Sequence, residues 1–147
     1  LVNSIFLPIG LAVFIGTPLS IFAGIISSRL TIFHELKYRT IEIISSNSGP
    51  FENSDAIKQA QNCLLVVYNI SQKLEDEGHK SASNVLFNIT DIINSELSKL
   101  EVDFKHSEVR MKSFPRNNGI DNSQCKNMFS QIEKIKPDFL SILKPWF

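Results

Sequence analysis

The first 28 residues contain no Asp, Glu, Lys, Arg or His, whereas the rest of the chain carries all 15 basic and all 15 acidic side chains. Within that stretch the apolar run Ile5–Ile26 covers 22 residues. As a helix rising about 1.5 Å per residue it is about 33 Å long, enough to cross a hydrocarbon core of about 30 Å. A secretory signal would begin with basic residues and have an apolar core of only about 7–15 residues, and this segment fits neither criterion. A helix that is apolar all round could be the core of a soluble domain, but the remaining chain is too small to enclose it. Two short re-entrant helices broken at Pro8 and Pro18 are a further alternative. A single membrane span is the expectation, and membrane lipid is its first partner.

The flanks orient the span. No charge precedes it, and Arg29, His34, Lys37 and Arg39 follow it, interleaved with Glu35 and Glu42. Basic residues at a membrane exit favour the cytoplasmic side and acidic ones count little. The carboxyl-terminal region is therefore expected in the cytosol, or on the matrix or stromal side in an organelle. The sequons Asn69-Ile-Ser71 and Asn88-Ile-Thr90 would argue for the opposite face, but both fall inside apolar-periodic segments, where a glycan would block packing.

Small residues recur every four positions along the span: Ala12, Gly16, Ser20, Gly24 and Ser28. Steps of four form a nearly axial ridge on a helix. Inside lipid the hydrophobic effect does not drive helices together, and close approach across small residues does. This ridge is the candidate helix-packing face, for another copy or for another membrane subunit. Pro18 lacks the amide proton that would bond the carbonyl of Phe14, so a kink is expected there.

Beyond the span the pattern is helical. Phe33, Leu36, Ile41 and Ile44 continue the membrane helix as a stalk to about Ser46, although the polar Thr40 interrupts the stripe. Ser-Ser-Asn-Ser-Gly-Pro at 45–50 stops it. Asn53 or Ser54 caps a second helix with apolar positions Ile57, Ala60, Leu64, Val67, Tyr68 and Leu74, ending at Gly78. Its acidic end, Glu75-Asp76-Glu77, opposes the helix dipole, so the last turn is expected to fray. A third helix runs from about Ser81 to Met111, with Leu86, Ile89, Ile93, Leu97, Leu100 and Phe104 at a mean spacing near 3.6. After the loop Phe114–Gly119, a fourth helix spans about Asn122 to Ile135 and Pro137 opens a short fifth through Leu143. No segment alternates with period two, so strands are not expected.

The predicted fold is all-α, one N-terminal transmembrane helix (1–30) continuing through a stalk (31–48) into a small antiparallel soluble bundle (49–147). Short connections make successive helices antiparallel, which returns the carboxyl terminus to the bilayer. There Trp146 and Phe147 are candidate interfacial anchors, since aromatics favour the headgroup level. Alternatively, Phe139, Ile142 and Trp146 cap the bundle core.

The search for chemistry finds no catalytic or metal motif. His34, His79 and His106 show no zinc-ligand spacing, and Cys63 and Cys125 form no C-x-x-C pair. Two cysteines exclude a disulfide-rich scaffold. The acidic run 75–77 lacks the spacing of a calcium loop. Arg110, Lys112 and Arg116 are the best anion candidates, but Glu108 and Asp121 flank them. A formal net charge of zero excludes the strongly basic balance of a nucleic-acid coat. The functional expectation is a non-enzymatic single-pass protein without cofactor, acting by assembly as a homo-oligomer or as an accessory subunit of a membrane complex. Its rival is a signal-gated membrane effector or pore-forming toxin or defence protein, with spans rearranging around Pro18.

Overall fold

The computed structural model describes the backbone of residues 3–47, 54–110 and 122–143, and side chains within 15–47, 57–99, 101–102 and 123–143. Over these residues the chain is all-helical: α1 (Asn3–Ser46), α2 (Ser54–Asp76), α3 (Lys80–Arg110), α4 (Asn122–Glu133) and α5 (Phe139–Leu143).

Helix α1 is 44 residues long, about 66 Å at about 1.5 Å per residue. It continues through Pro8 and Pro18, which removes the alternative of two re-entrant helices. Its two halves meet different surroundings. From Ile15 to Gly24 every residue is exposed, so the bundle does not wrap the apolar half. This helix is long and apolar enough to cross a membrane. From Arg29 onward one face turns inward: Phe33, Leu36, Thr40 and Ile44 are buried. Thr40 sits in that stripe without breaking it because its hydroxyl donates to the Leu36 carbonyl, 2.9 Å away. A buried hydroxyl satisfied by its own helix needs no tertiary partner.

The core gathers these residues with Cys63, Val67, Ile70 and Leu74 of α2, Leu86, Ile89 and Ile93 of α3, and Cys125, Met128 and Ile132 of α4. The α3 stripe from Leu86 to Leu97 is buried as its spacing predicts, while Leu100 and Phe104 lie outside the described side chains. Tyr68 departs from expectation. It is 44% exposed, stacked edge-on against Phe87, and its hydroxyl accepts from Gln72 at 3.0 Å. The buried positions of α2 instead include Ile70 and Ser71. Ser71 and Thr90, the third residues of the two sequons, are both buried, and their hydroxyls bond carbonyls of their own helices.

The α2–α3 turn is tied rather than frayed. The amide of Gly78 donates to Glu75 O at 2.8 Å and that of His79 to Leu74 O at 2.7 Å. This is the Schellman pattern, which requires a left-handed residue at its corner, and Gly78 supplies it with φ +87°. The glycine thus closes the turn despite the unfavourable charges at 75–77. Helix α4 ends two residues before Ile135, and Pro137 precedes α5 rather than opening it. Successive helices reverse direction, so the end of α2, the end of α4 and all of α5 arrive beside the stretch of α1 from Arg29 to Lys37.

Candidate functional site

Two kinds of place on α1 carry functional potential: the exposed small-residue ridge and the junction where the other helices return. At about 100° per residue, the ridge midpoint falls on the side of α1 opposite Phe33, Leu36, Thr40 and Ile44. Gly16, Ser20, Gly24 and Ser28 are all exposed, and a Cβ built on Gly16 or Gly24 meets nothing within 4 Å. The side chain of Ala12 lies outside the described residues. The bundle therefore leaves this ridge open.

The junction is built from three kinds of contact. First, cations of α1 meet the carbonyl ends of the returning helices. Arg29 Nη1 donates to Ser141 O at 2.8 Å and to Ile142 O at 3.2 Å. Lys37 Nζ donates to Glu133 O at 2.8 Å and to Ile135 O at 3.1 Å. The last carbonyls of a helix lack intrahelical donors and carry its negative dipole end, so a cation is the matching partner. Two residues that orientation reasoning treats as topological markers are thus also caps for α4 and α5. No periodicity encodes this, because the caps are joined only through the fold.

Second, His79 is a buried hinge between α3, α1 and α5. It is 4% exposed and its ring meets Phe33 edge-on, centroids 4.9 Å apart. The backbone amide of Asp138 donates to its Nδ1 at 3.1 Å. An amide can only donate, so Nδ1 must be the unprotonated nitrogen of a neutral ring. Burial lowers the pKa of His79 below its ordinary 6.5, and the charge of Arg29 adds to the effect, whereas Asp138 and Glu77 oppose it. Third, Ser141 Oγ donates to Gly78 O at 2.6 Å, tying α5 to the α2–α3 turn.

The remaining candidates disperse. His34 is exposed on α1, its ring edge-on to Phe33. The side chains of His106 and Arg110, and residues Lys112 and Arg116 with their loop, lie outside the described residues, as do Trp146 and Phe147. Among the described residues no three His, Cys, Asp or Glu side chains converge as metal ligands would. Cys63 and Cys125 are buried as thiols and not joined in a disulfide. Burial, with the nearby Cys125 adding, pushes the Cys63 thiol up to about 12, far from the range of a reactive thiolate. The tail is divided between the two expectations stated above: Ile142 is 3% exposed and packs inward, whereas Phe139 is 69% exposed. Comparison with protein families, curated proteins and solved structures finds no match to this chain.

Proposed function

We propose that this chain is a non-enzymatic single-pass membrane protein that acts by assembly, with itself or with other membrane subunits. One observation carries the reading. The apolar stretch of α1 from Ile15 to Gly24 is exposed, and its small-residue ridge faces away from the other described helices. A second helix can therefore reach the ridge without displacing any part of the fold. Exposing Ile15, Leu19, Ile21 and Phe22 to water would be unfavourable, and lipid removes that cost. The bundle in this reading lies on the cytosolic, matrix or stromal side, following Arg29, Lys37 and Arg39.

The test is replacement of both glycines, Gly16→Ile and Gly24→Ile, in the full chain in bilayers, read by the mass of the gently extracted particle. Among the described residues nothing lies within 4 Å of a Cβ at either position, so the bundle should fold unchanged. A fall to the mass of the single chain supports assembly at the ridge. An unchanged particle rejects it. The gated-effector reading has one observation in its favour: His79 and Arg29 link the bundle to the base of the span through α5. Depolarisation of cells on expression, dependent on the span, would favour that rival.

A further inference from the structure

We infer that α5 is a second membrane contact, an interfacial segment that lays Phe139 and Leu140 on the bilayer beside the exit of the span. This inference deepens the membrane reading above and rests on it.

Its position comes from Arg29. The apolar run of α1 ends at Ile26, and Arg29 follows within one helical turn, about 4.5 Å further along the axis. Its guanidinium holds the carbonyls of Ser141 and Ile142 at 2.8 and 3.2 Å. The level of α5 is therefore that of the first charge after the span, which is where headgroups begin. Its rotation is fixed from two other directions. Ile142 is buried against the bundle, and Ser141 Oγ is bonded to Gly78 O. With those two turned inward, Phe139 and Leu140 face outward, 69% and 73% exposed.

The outward pair is apolar. Leu19, Ile21 and Phe22, about two to three turns before Arg29 on α1, are exposed apolar residues as well. Lipid is the occupant that the level of α5 selects, since the apolar run of α1 ends within one turn of Arg29. Interfacial segments bury an apolar side about 5–10 Å into the headgroup boundary and keep their polar groups at the water side. At α5 the Arg29 guanidinium satisfies carbonyls of the carboxyl end, and the Asp138 carboxylate accepts from the Leu140 amide at 3.1 Å.

The experiment places single indoles in the full chain, reconstituted in phosphatidylcholine–phosphatidylglycerol vesicles. Trp146→Phe removes the one native indole. Phe139→Trp and, separately, Leu140→Trp then report on α5, and Leu19→Trp reports on the span. Helicity by circular dichroism confirms that each variant folds. Nitroxide lipids labelled near the headgroup should quench the fluorescence at 139 and 140, and aqueous acrylamide should have little effect. Deep acyl-chain nitroxides should quench the probe at 19 instead. If the probes at 139 and 140 remain open to acrylamide while the probe at 19 is quenched, the inference falls and the span stands. If they are shielded from acrylamide and from nitroxide alike, protein covers them, and the inference also falls. If the probe at 19 meets no nitroxide, the membrane reading itself fails and α5 with it.

Discussion

The amide of Asp138 donates to Nδ1 of His79 across 3.1 Å, joining the linker before α5 to the first residue of the α2–α3 turn's exit. The bond exists only while Nδ1 is unprotonated. Protonation sets one N–H against another and places a charge in a buried site with Arg29 nearby, which Asp138 and Glu77 offset in part. The folded pKa is depressed, so the unfolded chain binds more protons in the window below 6.5. Stability contributed by the neutral ring is fully present above 6.5 and is lost as pH falls through the lower, folded value. The thermal midpoint of the bundle is expected to drop on acidification from pH 7, and His79→Gln, which keeps an acceptor without a titrating group, should flatten that slope. An identical slope in the variant would show that other groups set it.

Much of this arrangement was legible in the residues, and part of it was not. The long apolar helix, the α3 stripe from Leu86 to Leu97 and the reversal of successive helices follow from charge and spacing, which are local. Tyr68 was misplaced because its spacing fits the inward face of α2, yet its hydroxyl and large ring are better satisfied at the rim, against Phe87 and Gln72. The frayed end expected at Glu75–Glu77 yields to Gly78, whose left-handed φ lets two amides close the turn. The caps Arg29 and Lys37 bridge more than 95 residues of sequence, as separations of 112 and 96 show. Such pairs depend on the completed fold, and no window of sequence displays them.

Gly78 should resist substitution for two separate reasons. Its φ of +87° costs any L-residue about 1–2 kcal/mol. A Cβ there would also lie 2.7 Å from Ser141 Oγ and 3.1 Å from Ser141 Cβ. Gly78→Ala is expected to destabilise by more than the backbone term alone, because α5 must shift. Combining it with Ser141→Gly removes the clash but not the φ, so denaturant midpoints should show the double variant recovering part of the loss. Full additivity of the two substitutions would mean that Ser141 does not press on the turn.

Helix α3 contains two buried positions with opposite expected responses. Ile89 is fully buried between helices, and Ile89→Ala should cost about 2–5 kcal/mol through lost transfer energy and a residual cavity. Ser83 is 1% exposed, and its hydroxyl oxygen has no hydrogen-bond partner among the described residues. A buried hydroxyl without a partner carries a desolvation cost of about 1–3 kcal/mol on mutational scales. Ser83→Ala removes that group and almost no volume, so it should be neutral or raise stability by up to about 1 kcal/mol. Chemical denaturation of both variants under one condition checks the pair. A loss at Ser83→Ala comparable to that at Ile89→Ala would mean that the hydroxyl holds a contact of its own, such as an ordered water in the core beside His79.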